Sequence, residues 1–310
     1  MKKISFLILA FIFSGSLYSQ QLPQLTQFMD NNYVLNPAFA GMEDYYQVRT
    51  SIRNQWTGIN GAPSTTILSM YGQQEENVGL GGVIFNDQLF QTSRTGGSVS
   101  YAYHLSVSNK IKLSLALSGG FTQLKIDKNG LNVANPNDPL TQGDVIVETV
   151  PDATFGFNFY AKDWYLGVAI PQLLNNNLNL LDDNLANTLS SEQSGTLSRH
   201  LYVMGAYLFN CKKWAKKWSI EPSFLLKSVS PAPAQLDFAL KAIYDNKIWF
   251  GANYRSTGDI GALFGYSIKD RYIIGYSYDI LNSELADASS GTHEFMLAIK
   301  LKTTTPKVIK

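Results

Sequence analysis

The sequence has a single cysteine and few charged residues. Cys211 is the only cysteine among 310 residues, so no internal disulfide can form and a cysteine-based structural metal site is not indicated. Charged residues make up 16% of the chain, well below the roughly 25% of a typical soluble domain. The formal net charge of +1 provides no field for a polyanion, so a nucleic-acid partner is not expected.

Long apolar runs are also missing after the first twenty residues. No window of about 18 consecutive apolar residues occurs there, which argues against a helical inner-membrane protein. The N-terminus carries Lys2 and Lys3, an apolar run over 4–13, and small residues up to Ser19. This pattern predicts a cleaved signal peptide over residues 1–19, because the run is too short for a retained transmembrane helix.

The sequence is rich in aromatic residues and glycine, and it contains segments in which apolar and polar residues strictly alternate. Phe, Trp and Tyr make up 13% of the chain, and 24 residues are glycine. In residues 292–302, Phe295 and Leu297 share one face, while Glu294 and Lys300 lie on the other. One face suits lipid and the other a wet lumen, which predicts transmembrane β-strands.

Fourteen segments show this pattern and predict an all-β fold, a transmembrane antiparallel β-barrel of about 14 strands within residues 45–302. An even strand number is typical of single-chain barrels in the outer membrane, the predicted location. The predicted strands are 45–54, 64–72, 78–87, 92–107, 110–126, 152–160, 163–171, 199–209, 218–229, 235–244, 247–255, 259–269, 271–281 and 292–302.

The connections between these segments sort by length. Every second one is very short except 210–217, whereas the long connections 127–151 and 172–198 both belong to the other set. Outer-membrane barrels combine short periplasmic turns with long extracellular loops, and a soluble sandwich or propeller gives no reason for such sorting. The long outer loops are therefore candidate binding surfaces.

Aromatic residues cluster beside the predicted short turns, at the level where amphipathic rings favour lipid headgroups. Trp249 is the exception among these aromatic residues, because its place in the alternation points its side chain inward. The predicted aromatic girdle comprises Tyr101, Tyr103, Tyr160, Trp164, Trp214, Trp218, Tyr244 and Tyr272.

Patterns that would indicate catalysis are weak. The histidines are His104, His200 and His293, and no G-x-S-x-G motif accompanies them. His293 and Glu294 are neighbours, so they face opposite sides of a regular strand and cannot form an acid–base pair. We expect a non-enzymatic protein with no catalytic, cofactor-binding or metal-binding residues.

Two loop segments leave alternatives open. The loop 130–150 contains Asp138 and Asp144, which could ligate calcium, although the regular ligand spacing is missing and a flexible outer loop is the simpler interpretation. The glycines of segment 79–82 lack the helix that a phosphate-binding loop requires. We expect them to permit strand curvature or the close approach of another backbone inside the barrel.

The predicted periplasmic connection after residue 210 is basic. Its lysines could contact anionic lipid headgroups or an acidic periplasmic partner, or they could form a solvated turn that holds the membrane boundary. Residues 303–310 form a second basic stretch, which we expect to be a periplasmic tail. The lysines of the connection are Lys212, Lys213, Lys216 and Lys217.

Four sequence elements together carry a family resemblance. They are N-P-A-F-A-G at 36–41, R-N-Q-W-T-G-I-N-G-A-P at 53–63, G-L-G-G followed by N-D within 79–87, and S-G-T-H-E at 290–294. In this order they resemble the PorP/SprF family of type IX secretion system outer-membrane proteins, and the resemblance covers essentially the whole mature chain.

The resemblance implies a non-enzymatic role in secretion or surface retention of a cargo protein with a C-terminal sorting domain, such as a gliding adhesin. The implied partners are this cargo, type IX secretion and gliding components, and outer-membrane lipid. Some members are associated with the periplasmic motor and peptidoglycan-linked components, so a structural link to the motor is an alternative. An outer-membrane channel is another, because a barrel of this size has room for a lumen.

Residues 20–44 precede the first strand and are too apolar for a free tail. We expect them to pack at the periplasmic mouth or inside the lumen, where Arg49, Arg53 and Trp56 could contact them or the cargo. Besides the lysines, the candidate partner-binding residues are Asn36, Pro37, Phe39, Arg49, Arg53 and Trp56.

Overall fold

The computed structural model describes residues 22–129, 145–180, 195–211, 215–282 and 284–302. Its strands are β1 Tyr45–Asn54, β2 Ser64–Glu75, β3 Val78–Leu89, β4 Thr92–Ser106, β5 Lys112–Asp127, β6 Val145–Ala161, β7 Trp164–Ile170, β8 Asn177–Leu178, β9 Gly195–Thr196, β10 His200–Tyr207, β11 Phe209–Asn210, β12 Trp218–Val229, β13 Ala232–Tyr244, β14 Ile248–Arg255, β15 Ile260–Ile268, β16 Tyr272–Ile280 and β17 Thr292–Lys302.

Fourteen of these strands form a closed antiparallel ring. They are β1–β7, β10 and β12–β17, and the pairing of β1 with β17 and of β10 with β12 leaves no open edge in the ring. The strand β11 continues β10, and β8 pairs with β9 as a small separate ribbon. The predicted all-β barrel of about 14 strands is confirmed.

Within the described residues, helical structure is limited to short pieces. The helix α1 spans Asn32–Leu35, and 3₁₀ turns span Pro37–Phe39 and Glu284–Asp287. Across the described ranges, no helix has both the length and the apolar character needed to cross a membrane.

Two strands begin earlier than their sequence pattern predicts. The structure starts β6 at Val145 and β13 at Ala232, whereas the predicted segments start at 152 and 235. Both extensions contain a proline, Pro151 or Pro233, and a proline within a run argues against a strand because it cannot donate to the ladder. The connection predicted at 127–151 is therefore shorter, since β5 pairs with β6 as far as Asp127 and Val145.

The two ends of the ring differ in their connections. At one end, called the short-turn end, they span 76–77, 107–111, 162–163, 211–217, 245–247 and 269–271. At the other, called the long-loop end, they span 55–63, 90–91, 128–144, 171–199, 230–231, 256–259 and 281–291. By the rule for outer-membrane barrels, the short-turn end is periplasmic.

The alternation in the sequence becomes two faces of the wall. In β5, Leu115 and Leu117 are exposed on the outside, whereas Ser114 and Ser118 are buried inside. Outside the barrel such apolar side chains contact lipid, and inside it the polar ones can hydrogen-bond. A side chain's direction therefore follows from its parity within the strand.

The aromatic girdle is partly as predicted. Exposed aromatic residues near the short-turn end include Tyr101, Tyr103, Trp218 and Tyr272, and Trp249 is buried inside as its parity predicts. Trp214 lies outside the described residues.

The prediction for Tyr160 is wrong. Its hydroxyl lies 2.7 Å from His104 Nδ1, and its side chain is buried inside the barrel. The reason is parity, because Tyr160 shares a face of β6 with the buried Asn158.

Residues 22–44 lie inside the ring, and we call them the plug. Their hydrogen bonds reach Ser100 on β4, Phe157 on β6, Lys241 on β13 and Glu294 on β17, which are strands on different sides of the barrel. Gln24 bonds Gln235 near the long-loop end of β13, and the plug then runs to the short-turn end, where β1 begins. The plug thus fills the lumen along its axis. Its apolar side chains form the main core cluster: Leu25, Phe28, Met29, Tyr33, Leu35, Ala38, Phe39 and Ala40.

Candidate functional site

Two of the sequence elements that carry the family resemblance meet at the long-loop end. Segment 53–63 leaves β1 as segment 290–294 enters β17. Trp56 N donates to Thr292 Oγ1 at 3.2 Å, and Thr57 N donates to Gly291 O at 2.9 Å. Ser290 N returns a bond of 2.8 Å to Thr57 O. The two elements form one structural unit.

The shape of this unit depends on residues with positive φ. Trp56 has a φ of 50°, Gly58 of 104° and Gly61 of 74°, a region that glycine enters at little cost. A Cβ at Gly61 would overlap the ring of Phe90, whose N–H donates to Gly61 O at 2.8 Å. The connection 90–91 is thereby joined to the other two. We call residues 55–63, 90–91 and 285–291 the outer platform.

Directly beneath the outer platform lies a buried charge cluster. Arg53 Nη2 lies 2.7 Å from Asp279 Oδ2, and its Nη1 lies 3.2 Å from Glu294 Oε2. Thr26 of the plug joins the cluster through its N–H, which donates to Glu294 at 2.7 Å, and through its hydroxyl, which bonds Asp279 at 2.6 Å. The cluster joins three wall strands, β1, β16 and β17, to the plug. Removing one partner would leave the others buried and unpaired, which is costly.

A second cluster lies beside the first. Asp237 lies 3.2 Å from Lys227 Nζ and accepts from Arg255 Nε at 3.1 Å. Arg255 also lies 3.3 Å from Asp259, and Gln235 donates to Asp237 at 2.7 Å. These contacts connect β12, β13 and β14 on the lumenal side.

Nearer the short-turn end, one charged residue of the plug binds the wall. Asp30 lies 2.9 Å from Lys241 Nζ, which also lies 3.0 Å from Glu221. Lys241 of β13 is therefore shared between the plug and the neighbouring strand β12. Lumenal charges of opposite sign thus form pairs rather than a field of one sign.

Asn36, Pro37 and Phe39 lie inside the plug. Asn36 Oδ1 accepts from Ala38 N at 3.0 Å, while its Nδ2 donates to Phe157 O at 3.1 Å and to Val168 O at 3.2 Å. The side chain therefore caps the 3₁₀ turn that Pro37 begins and also binds the backbone of β6 and β7.

Phe39 and Pro37 are both buried. The ring of Phe39 meets Tyr165 edge-on, with centroids 4.9 Å apart. These three predicted site residues are thus placed to hold the plug, and a partner would meet them only after the plug moves.

Glycines in the wall make room for the plug. A Cβ at Gly79 would overlap Ala40 O, one at Gly81 would lie 2.5 Å from the Tyr33 hydroxyl, and one at Gly156 would overlap Asn36. The expectation that glycines in 79–82 permit close approach of another backbone is confirmed for Gly79, which meets the backbone of the N-P-A-F-A-G element at Ala40.

The remaining predicted site residues are separated. Arg53 contacts the plug, whereas Trp56 lies in the outer platform. Arg49 is buried near the short-turn end, where it donates to Gln47 Oε1 at 3.1 Å. Lys216 and Lys217 lie in an exposed turn at the same end, and Lys212 and Lys213 lie outside the described residues. The structure does not bring the eight described residues of this set into one site.

The sequence interpretation missed Thr26, Asp30 and Asp279. The inward parity of Asp279 within segment 271–281 was the available signal, and it would have placed a carboxylate in the lumen. Nothing in the local pattern of Thr26 or Asp30 marks them, because their partners come from strands more than 200 positions away.

The histidines have structural partners. His104 Nε2 lies 2.8 Å from Ala40 O, and His293 Nδ1 lies 2.8 Å from the Tyr276 hydroxyl. Glu294 is buried on the opposite face from His293, as the alternation predicts. Within the described ranges, no group of three or more His, Cys, Asp or Glu side chains is placed to hold a metal ion. The calcium alternative at Asp138 and Asp144 lies outside those ranges.

Two cavities flank the plug. One of about 120 Å³ lies between Leu22, Leu35 and the wall near Arg94. The other, of about 940 Å³, forms a polar cup at the short-turn end that includes Glu43, Lys112 and Lys300.

Comparison with solved structures shows the same fold. The chain is similar to the CymD monoaromatic hydrocarbon channel, with a TM-score of 0.51 and 11% identity over 87% of this chain and 91% of that one. It is also similar to a Pseudomonas aeruginosa FadL homologue, with a TM-score of 0.50 and 10% identity over 86% of this chain and 92% of that one. Likeness at this identity concerns the barrel alone.

No curated protein matches the chain. The family model described as the type IX secretion system membrane protein PorP/SprF matches residues 17–299, a range that contains both the plug and nearly all of the barrel. With a closed barrel of this kind, such a membrane protein lies in the outer membrane. The chain belongs to the PorP/SprF family of type IX secretion system membrane proteins.

Proposed function

We propose that the protein is a plugged outer-membrane anchor that binds secreted cargo at its long-loop end. The observation that carries this proposal is the plug. It occupies the lumen, and its hydrogen bonds to β4, β6, β13 and β17 hold it there. A filled lumen removes the usual path for a diffusing solute. The surfaces at the two ends then remain for function, and recognition usually resides in loops on a rigid scaffold.

The outer platform is suited to bind a folded domain. Its backbone bonds, such as Thr57 N to Gly291 O and Phe90 N to Gly61 O, hold it in one shape before a partner arrives. Such preorganisation lowers the entropic cost of binding. Phe90 is 55% exposed and Leu285 is 39% exposed on this surface, and apolar surface that is exposed and rimmed by polar residues marks a candidate interaction site.

The test is an affinity pull-down from the native outer membrane, with mass spectrometry of the proteins that co-purify. The wild-type protein is compared with Phe90→Asn, because asparagine tolerates the φ of 52° at this position. The matched control is Val107→Asn, which changes a residue 57% exposed at the opposite end. We expect a large surface protein with a C-terminal sorting domain to co-purify with the wild type and the control, and to be lost with Phe90→Asn.

The other outcomes identify the alternatives. Recovery of motor and peptidoglycan-binding proteins in place of cargo would favour a structural link, with the polar cup at the short-turn end as the contact. A bare barrel after crosslinking would refute cargo anchoring. Steady single-channel conductance by the wild-type protein would favour a channel.

A further inference from the structure

The seam between β10 and β12 has a gap in its ladder near the short-turn end. The strands β10 and β12 pair as far as Ala206 and Ser223, and pairing resumes between Phe209 and Ile220. Between these points, no ladder pair joins Tyr207 and Leu208 to the facing residues of β12 in the described chain. One facing residue is Pro222, which has no N–H to donate. On the other edge, the ladder with β7 continues, since Leu208 N donates to Asp163 O at 2.7 Å.

On the outside of this seam lies an apolar groove of about 460 Å³. The ring of Phe224 packs against Gly205 in this groove, because Gly205 has no side chain and a Cβ there would lie 2.8 Å from Phe224 Cε1. Tyr207 and Phe238 are 45% and 49% exposed on the same face, so the groove faces the membrane. We call it the wall groove, and it is formed by Trp164, Gly205, Tyr207, Pro222, Phe224 and Phe238.

The wall groove lies just inside the membrane from the short-turn end. Trp164 is the first residue of β7 and Tyr207 the last of β10. Pro222 is five residues from Lys217, about 16 Å along a strand, and strand tilt makes the depth smaller. This distance separates a lipid headgroup from the upper part of its acyl chains.

Positive charge surrounds the headgroup level below the groove. Lys216 and Lys217 lie exposed in the turn that leads into β12, and Lys162 lies exposed in the turn before Trp164. Asp245 is 3.7 Å from Lys217 Nζ. Both of these side chains are largely exposed, so this pair is weak and leaves Lys217 able to bind another anion.

We propose that the wall groove and these lysines form one binding site for an anionic phospholipid. An acyl chain occupies the groove between Tyr207, Phe224 and Phe238, and Lys216 and Lys217 bind the phosphate-bearing headgroup. The groove supplies apolar area on one side, and the basic turn supplies attraction to anionic lipid on the other. The assignment does not depend on cargo binding.

The experiment measures lipid retention by native mass spectrometry of the full-length protein released from bilayers that contain equal amounts of phosphatidylglycerol and phosphatidylethanolamine. We expect the wild type to retain phosphatidylglycerol preferentially. Lys216→Gln with Lys217→Gln removes two charges and is expected to weaken that retention about tenfold or more. Gly205→Val displaces the ring of Phe224 from its place in the groove and is expected to abolish the retention.

Two matched controls separate the site from general effects. Lys269→Gln with Arg271→Gln removes two exposed charges from another short turn, and Gly119→Val adds a side chain where nothing lies within 4 Å. Both should retain lipid as the wild type does. If Gly205→Val fails to form a heat-modifiable barrel, the double variant of Lys216 and Lys217 tests the proposal by itself, because it changes only an exposed turn.

Equal retention of the two lipids by the wild type would overturn the proposal. Unchanged retention of phosphatidylglycerol by the double variant of Lys216 and Lys217 would also overturn it. The same holds for co-purification of a protein that occupies the groove and excludes lipid.

Discussion

The guanidinium of Arg53 lies 2.7 Å from the carboxylate of Asp279, although the two residues are 226 positions apart in the chain. They belong to β1 and β16, which are separated in the ring by β17. The contact therefore crosses a strand on the lumenal side, and Glu294 of that strand completes the cluster. A charge cluster of this kind links the closing seam of the barrel to the plug through Thr26.

We predict that Arg53→Met destabilises the barrel by about 3–5 kcal/mol, because it leaves Asp279 and Glu294 buried without their cation. Urea unfolding of the protein in lipid vesicles, followed by the electrophoretic mobility of the folded form, measures this change. Arg271→Met, in an exposed turn, is the control and should remain close to the wild type. Equal stability of both variants would show that the cluster contributes nothing.

We predict that Gly156→Val displaces the plug, because a Cβ at this position would overlap Asn36. In planar bilayers the wild-type protein should show no sustained conductance, and the variant should conduct. The control is Gly119→Val, whose added atoms meet open space on the outer face. A silent Gly156→Val barrel would mean that the plug adjusts and still seals the lumen.

We predict that the loss of stability caused by a substitution of Asn36 depends on the hydrogen-bonding groups of the new side chain rather than on its size. Asn36→Ala removes two donors to β6 and β7 and one cap, for a loss of about 1–3 kcal/mol. Asn36→Asp should cost more, because its carboxylate keeps the cap but faces the carbonyl oxygens of Phe157 and Val168.

The same unfolding measurement in urea ranks the two variants, with Asn109→Ala in an exposed short turn as the control. The reverse order, with Asn36→Ala the weaker of the two, would contradict the assigned hydrogen bonds.

The lipid-facing register of β17 is tested by Leu297→Arg. Leu297 is 53% exposed in the middle of its strand, so an arginine there should cost about 2–4 kcal/mol if it lies near the centre of the bilayer. Ile280→Arg introduces the same charge at the long-loop end of β16 and should cost at most about 1 kcal/mol. Wild-type stability of Leu297→Arg would refute the register.

Alternation alone was enough to predict the barrel. The bounds of β1, β12 and β17 match the predicted segments 45–54, 218–229 and 292–302, because a wall with lipid on one side and a polar lumen on the other requires strict parity. The pattern failed at Pro151 and Pro233, where neighbouring strands hold the chain extended in spite of the proline.

The site could be predicted only in parts. The sequence indicates that Lys241, Asp237 and Glu294 face the lumen, but their partners depend on ring register and on the path of the plug. The two elements at 53–63 and 290–294 carry no local sign that they meet, since the contact arises only when β1 pairs with β17. The gap in the β10–β12 ladder at Pro222 could not be predicted either, because the sequence pattern of β12 is otherwise regular.

The closing seam also has a consequence for assembly. Joining β1 to β17 brings together residues more than 240 positions apart, the contact with the largest loop-closure entropy in the ring. Thr26 N and Gln27 Nε2 of the plug both bind Glu294 of the last strand. The closing seam is therefore held from inside as well as by its own ladder, because the segment that precedes β1 is bonded to the last strand.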